Sequence, residues 1–142
     1  MKLSYRMTGL AAGLCALTLA GTAPAHHSTA MFDMQKPTTV TGVVKEFDWT
    51  NPHTFIWVDV QEASGTVEYS FEGMSPIYLG YNGWTRHTLE PGQTISLQFF
   101  PLKDGRKGGF CARVKLPGGK VLDNLPNGGG APQADGFTAA QH

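Results

Sequence analysis

The chain has 142 residues, of which 41% are hydrophobic, and it carries 11 basic and 11 acidic side chains. This length is enough for one small domain with a single core. Because the charges balance, no strong field draws the chain to nucleic acid or anionic lipid, and we expect no nucleic-acid partner. A disulfide-rich scaffold is excluded, since Cys15 lies in an apolar N-terminal run and Cys111 is the only other cysteine.

The N-terminal segment, residues 1–25, has the pattern of a cleavable signal peptide. Two basic residues precede an uncharged apolar run over residues 7–20, which is shorter than the roughly 20 residues of a membrane span. Ala23 and Ala25 then supply the A-x-A pattern that signal peptidases cleave. We therefore expect a periplasmic or secreted protein that begins at His26 and does not span a membrane once processed. An uncleaved anchor helix is the alternative.

Three further regions follow the predicted signal peptide. Residues 26–37 form a polar lead-in, and residues 38–123 form a β-rich domain. Residues 124–142 are rich in Gly, Pro and Ala, a composition typical of a disordered tail.

Within the domain, β-branched and aromatic residues that alternate with polar ones predict strands. The predicted strands are residues 38–49, 54–60, 66–71, 94–100 and 109–116, with a further short strand at 120–122. Gly42 indicates a bulge or bend in the first of them. The alternation places these side chains inside: Val67, Tyr69, Phe71, Ile95, Leu97 and Phe99.

A short helix is predicted between the third and fourth strands. Ser75 is a suitable N-cap, Pro76 suits the first helical position, and the helix would run to about Tyr81. The order of three strands, a helix and two strands is that of a five-stranded Greek-key barrel of the oligonucleotide/oligosaccharide-binding (OB) type. The fold class is therefore all-β, with residues 73–92 crossing one end of the barrel. A small β-sandwich is the alternative.

The candidate metal ligands are His26, His27 and His53. Cleavage after Ala25 would give His26 a free α-amino group, and an amine of this kind has a pKa of about 8. The amine and the ring nitrogen of one residue can chelate one metal. A third nitrogen, from His53 or His87, would complete the T-shaped arrangement called a histidine brace, which suits copper.

Neighbouring residues bear on this metal site. His53 follows a proline that stiffens its turn, whereas a histidine in the loop position of His87 is ordinarily solvated. Met31 and Met34 are soft donors that suit reduced copper. The ordinary alternative is a polar N-terminus that binds metal only weakly.

No pattern in the chain indicates catalytic residues, since no nucleophile motif, phosphate-binding loop or carboxylate pair is present. Cys111 lies in a predicted strand, which favours a buried, inert thiol. Lys103, Arg106 and Lys107 crowd the last hairpin, where we expect them to be solvated rather than to bind nucleic acid.

Several short motifs occur in order along the chain: His26-His27-Ser28, Met31-Phe32-Asp33, residues 41–47, Trp49 to His53, Gly83-Trp84, Leu89 to Gly92 and Pro101 to Gly105. Together they resemble a family of small exported bacterial proteins, the domain-of-unknown-function family numbered 6152. The resemblance covers residues 26–122. It implies a periplasmic β-rich domain without an assigned activity, and it supplies no catalytic residues and no metal.

The sequence thus predicts a small periplasmic binding protein with copper as its leading ligand. Its partner would be an unknown ligand or a periplasmic protein. One alternative is a metal-free periplasmic interaction module, and another is a copper-dependent oxidative enzyme.

Overall fold

The structure is a computed structural model that describes residues 29–132. Residues 1–28, with the predicted signal peptide, His26 and His27, lie outside the described residues, as do residues 133–142. The strands are β1 (Thr38–Asp48), β2 (Phe55–Glu62), β3 (Gly65–Glu72), β4 (Thr94–Pro101), β5 (Gly108–Lys115) and β6 (Val121–Asp123). The helix α1 is Pro76–Tyr81, and two 3₁₀ helices are Thr29–Met31 and Pro126–Gly130. None of the helices between residues 29 and 132 has the length and apolarity to cross a membrane.

Five strands form a closed barrel. β1 pairs antiparallel with β2 on one side and with β4 on the other. β2 pairs antiparallel with β3, β4 with β5, and a parallel pairing of β3 with β5 closes the sheet. The closed order β1-β2-β3-β5-β4 confirms the predicted all-β Greek-key barrel of OB type over the β-sandwich. The short strand β6 pairs with the second half of β5.

Two glycines permit the closure between β3 and β5. Gly108 has φ of +123°, and a Cβ atom there would lie 1.9 Å from the carbonyl oxygen of Ser70. A Cβ atom at Gly109 would lie 2.0 Å from the carbonyl oxygen of Phe100 on β4. Only glycine lets the three backbones approach this closely.

The main core fills the barrel. Ile95, Leu97 and Phe99 of β4 are buried in it, as the alternation predicts. From β3, Phe71 is fully buried and Tyr69 packs against the core.

The predicted helix and the connection after it contribute to the same core. The Ser75 side chain accepts a hydrogen bond from the Tyr78 backbone N–H at 3.3 Å, which confirms the predicted N-cap. Leu79, Trp84 and Leu89 are all buried in the core cluster, as expected for a connection that covers one end of the barrel.

A second apolar cluster lies against the outer side of β4 and β5. Its members come from both ends of the described chain as well as from the two strands: Phe32, Phe100, Phe110, Ala112, Leu125 and Ala131. Strand β5 is therefore buried on both faces. Cys111 is fully buried in the main core, which confirms the predicted buried thiol, and this burial raises its pKa far above the ordinary range.

Residues 124–132 differ from the disordered tail that their composition predicts. Asn127, Gly128 and Gly129 adopt left-handed conformations inside a short 3₁₀ helix. The Arg113 guanidinium donates to the carbonyl oxygen of Asn127 at 3.0 Å. A Cβ atom at Gly128 would lie 1.7 Å from the same guanidinium, so the glycines allow this segment to wrap around a buried arginine.

Candidate metal-binding site beside the β1–β2 loop

His53 lies in the loop between β1 and β2, and its side chain is 18% exposed. The Nδ1 atom lies 2.7 Å from Oε1 of Glu72 and 3.1 Å from the carbonyl oxygen of Gly73. This proximity follows from the sheet register, because Phe55 at the start of β2 pairs with Glu72 at the end of β3. The position of His53 is therefore set by two neighbouring strands.

The backbone next to His53 is tied to the same segment. The Thr54 N–H donates to the carbonyl oxygen of Met74 at 3.2 Å, and the Gly73 N–H donates to the carbonyl oxygen of Thr54 at 2.8 Å. The Thr54 hydroxyl also donates to the carbonyl oxygen of Met74 at 3.0 Å. Thr54 is fully buried, so the end of this loop is rigidly held.

The partners of His53 Nδ1 determine the tautomer of the ring. A carboxylate and a carbonyl oxygen are both acceptors, so Nδ1 carries the hydrogen and the lone pair of the neutral ring is on Nε2. Metal-binding histidines in proteins ordinarily donate their other ring N–H to a carboxylate or carbonyl oxygen in this way. A metal bound by His53 would therefore be held through Nε2.

A cavity of about 270 Å³ has Glu72, the partner of His53, in its wall. Four apolar side chains, two cationic side chains, a serine and a glycine form the rest of the lining: Met31, Phe32, Phe55, Leu102, Arg106, Lys107, Ser70 and Gly109.

Residues 31–33 are fixed at this cavity. The Lys103 N–H donates to the carbonyl oxygen of Met31 at 2.9 Å, and the Asp33 N–H donates to that of Pro101 at 2.8 Å. The buried Phe32 ring stacks on Phe110 with 5.2 Å between centroids. His26 precedes Met31 by five positions, a length of chain that spans at most about 18 Å when extended.

The cations at the cavity have carboxylate partners. Lys107 Nζ lies 2.7 Å from Oε1 of Glu62 and 5.5 Å from the centroid of the Tyr69 ring. Two hydrogen bonds lower the pKa of Glu62: the one donated by Lys107 has the larger effect, and the one donated by the Tyr69 hydroxyl has the smaller effect. Arg106 pairs with Asp104 at 2.8 Å. The charges of Arg106 and Lys107 are thus locally neutralised.

The predicted metal ligands have different positions in the structure. His53 does not line the cavity but contacts Glu72, which does. His87 is exposed in the connection between α1 and β4, where its backbone N–H donates to the Thr85 hydroxyl at 3.2 Å. Residues 29–132 contain no group of three or more His, Cys, Asp or Glu side chains that could hold a metal ion. The other two predicted ligands, His26 and His27, lie outside the described residues.

Glu72 is the site residue that the sequence prediction omitted. It continues the alternation of Glu68 and Ser70 along the outer face of β3, so the sequence pattern could have placed Glu72 on that face. Its proximity to His53, which belongs to an earlier loop of the chain, became apparent only from the register of β2 and β3.

The family model described as a family of unknown function, DUF6152, matches residues 14–112. The chain belongs to this family. The match begins in the N-terminal apolar run and ends within β5, so it includes the N-terminal histidines, the β1–β2 loop and every residue lining the cavity. No curated protein is a significant match.

One solved structure that resembles this chain is the mitochondrial single-stranded DNA-binding protein Rim1 from S. cerevisiae (Form 2). The identity is 12% and the TM-score is 0.42, over 63% of this chain and 97% of that chain. This finding corrects the expectation that nucleic acid is excluded as a partner. A net charge averages over the whole surface, whereas nucleic acid contacts only a local part of it, so balanced charge was not a sufficient reason. The likeness assigns no ligand to this chain.

Proposed function

We propose that this protein is an exported copper-binding protein whose site combines the processed N-terminus with His53. Residues 1–25 would be removed after Ala25, leaving His26 with a free α-amino group. The mature protein would act in the periplasm or outside the cell.

The observation that carries the proposal is the setting of His53. Its Nδ1 is bound by the Glu72 carboxylate and the Gly73 carbonyl oxygen, which favours Nε2 as a metal ligand. Glu72 also lines a cavity that has Met31 in its wall, so the chain leading back to His26 begins at the cavity that this carboxylate lines.

The expected chemistry favours Cu(II) over other divalent ions. The amine and imidazole of His26 chelate as one unit, and a His53 nitrogen would add a ligand from the rigid barrel. Copper(II) lies at the top of the affinity order for divalent first-row metals and accepts nitrogen ligands in tetragonal geometry. The role we infer is binding of the ion, with the barrel as a scaffold.

The test compares the mature chain that begins at His26 with a chain that has one extra Ala before His26. The extension keeps every imidazole and displaces only the amine. We expect it to weaken Cu(II) binding by at least about tenfold, since the loss of even a hydrogen-bond partner of a ligand costs that much, and to change the electron paramagnetic resonance spectrum.

His53→Ala should likewise weaken binding and alter the spectrum, while His87→Ala, at an exposed position outside the cavity lining, serves as the matched control and should leave both unchanged. Equal affinities and identical spectra for the native and extended chains would refute the amine chelate. The metal-free interaction module would then become the leading interpretation.

A further inference from the structure

The apolar walls of the cavity are held by contacts outside it. Phe32 is buried and stacks on Phe110 with 5.2 Å between ring centroids, and Leu102 forms an isolated β-bridge with Phe32. Phe55 pairs with Glu72 across β2 and β3. A cavity with mostly apolar walls and a few polar groups is the usual form of a small-molecule site. Its volume of about 270 Å³ lies just below the roughly 300–1,000 Å³ of ordinary ligand pockets, so a small ligand fits it.

The register of β3 with β5 separates the charged groups of the lining. Ser70 pairs with Gly108, and Glu72 pairs with Phe110. Arg106 comes two residues before Gly108, so Arg106 and Glu72 are up to four residue steps apart along β5, or about 13 Å. The cavity therefore has a cationic end and an acidic end, with the Ser70 hydroxyl between them.

Both charged ends keep hydrogen-bonding capacity. The Nε atom of Arg106 donates to Oδ2 of Asp104 at 2.8 Å, and among residues 29–132 no acceptor is hydrogen-bonded to the two terminal nitrogens of this guanidinium. Oε1 of Glu72 lies 2.7 Å from Nδ1 of His53, which leaves the second carboxylate oxygen to accept a further hydrogen bond. Lys107 is instead engaged by Glu62 at 2.7 Å.

The charge balance favours a ligand that carries both signs of charge. Arg106 and Lys107 are paired with Asp104 and Glu62, and Glu72 adds a third carboxylate. A purely anionic ligand would therefore meet more carboxylates than cations. A purely cationic ligand would give the terminal nitrogens of Arg106 no acceptor. An ammonium group at one end and a carboxylate at the other complement both ends with charge-assisted hydrogen bonds.

We propose that the cavity binds a short apolar peptide with free termini. Its ammonium group would donate to Glu72, its carboxylate would accept from the terminal nitrogens of Arg106, and its side chains would contact Phe32 and Phe55. An extended peptide of about three residues spans roughly 10 Å, and the lengths of the arginine and glutamate side chains cover the remainder. The inference goes beyond the proposed function, because it requires neither a metal nor any residue outside 29–132.

The experiment titrates the isotope-labelled mature chain, prepared without metal, with trileucine and follows the backbone amide signals by nuclear magnetic resonance. Signals of the cavity lining, such as those of Ser70, Leu102 and Gly109, should shift, while those of α1 should not. Acetylation of the peptide amine or amidation of its carboxylate should each weaken binding by at least about tenfold, because each removes a hydrogen bond between charged groups. Free leucine should bind more weakly than trileucine, because it cannot reach both ends.

Two variants assign the two ends of the peptide. Arg106→Gln should bind trileucine and its amide equally but remain sensitive to acetylation, and Glu72→Gln should show the reverse. Arg86→Gln is the matched control, because this arginine is exposed and does not line the cavity; it should bind all the peptides as the native chain does. A urea unfolding curve of each variant verifies that it is folded.

Three results would overturn the inference. The first is the absence of shifts at the cavity lining when trileucine is added. The second is binding that is insensitive to capping of both termini, which would indicate an apolar groove without selectivity for charged ends. The third is an equal loss on capping in the native chain and in both variants. None of these results depends on copper, so each leaves the proposed function to its own test.

Discussion

Replacement of Gly109 by Ala should open the barrel between β3 and β5. This glycine pairs with Phe71 of β3 and with Pro101 of β4. A Cβ atom there would lie 2.0 Å from the Phe100 carbonyl oxygen and 2.9 Å from Cδ2 of Phe99. Its φ is not positive, so the effect of the substitution is steric and contains no contribution from a left-handed backbone.

The expected cost combines two effects. Overpacking of a close contact costs about 1–3 kcal/mol. The backbones must also separate where β3 and β5 share only three residue pairs, and each hydrogen bond lost there contributes about 0.5–1.5 kcal/mol. If one or two hydrogen bonds are lost, the two effects together should lower the free energy of unfolding of Gly109→Ala by about 1.5–6 kcal/mol.

Equilibrium unfolding in urea, followed by tryptophan fluorescence, measures this change. Gly80→Ala is the matched control, because a Cβ atom at Gly80 would have no neighbour within 4 Å. Gly80 lies within α1, where Ala is preferred over Gly by up to about 1 kcal/mol, so this variant should be slightly stabilised. If Gly109→Ala changes the free energy of unfolding no more than an ordinary surface substitution does, which is about 0.5 kcal/mol, the closed pairing of β3 with β5 is refuted.

Further predictions concern the core, the carboxylate beside His53 and the buried thiol. Leu97→Ala should lower the free energy of unfolding by about 2–5 kcal/mol in the same urea assay, because Leu97 is fully buried; an unchanged midpoint would contradict its place in the core. Glu72→Gln should weaken Cu(II) binding about 10–100-fold. The control is Glu68→Gln, which removes another carboxylate of β3, one that is paired with Lys45 of β1, and this variant should bind Cu(II) as the native chain does. Equal effects of the two substitutions would indicate that the charge of the surface, and not the contact with His53, affects binding. Cys111 should react with a thiol reagent at pH 8 only after urea unfolds the protein, because its burial raises the thiol pKa, and rapid labelling of the folded chain would contradict this.

The strand positions and the helix could be predicted because their signals are local. The alternation of Ile95, Leu97 and Phe99 follows from a strand with one face in the core, and the structure buries all three. Ser75 and Pro76 likewise begin the helix through their own backbone and side-chain chemistry.

Which side chains of β5 face the main core could not be predicted, because this depends on the register of β5 with its partner strand β4. The register with β4 shifts between Gln98 and Phe99, so that Gln98 pairs with Arg113 while Phe99 pairs with Cys111. Ala112 is the extra residue, and Cys111 and Val114 both enter the main core. A bulge of this kind breaks the period-two pattern without a local sequence signal.

The prediction at Gly42 was correct in part. The sequence predicts a bulge or bend there. In the structure, the first half of β1, up to Val43, pairs with β4, and the second half, from Val43, pairs with β2. The register shift itself lies between Val44 and Glu46. A Cβ atom at Gly42 would lie 2.5 Å from Cγ1 of Val58, so the glycine is needed for close approach between strands, which sequence alone does not show.

The sequence singles out His53 but not the groups that contact it. His53 stood out because it follows a proline, whereas the carboxylate and carbonyl oxygen that orient it belong to residues 72 and 73 at the end of another strand. The place of Met31 in the cavity wall depends on the hydrogen bond between its carbonyl oxygen and the Lys103 N–H, which is a tertiary contact.

The measurement that tests the copper proposal most directly is an intact mass of the exported protein combined with its metal content. The protein is expressed with its full N-terminus, purified from the periplasm without added metal, and analysed by mass spectrometry and by elemental analysis. The proposal predicts a chain that begins at His26 and contains close to one copper per chain, in excess over zinc. A chain that begins at any other residue, or one that begins at His26 and contains no copper when copper is present in the growth medium, would contradict it.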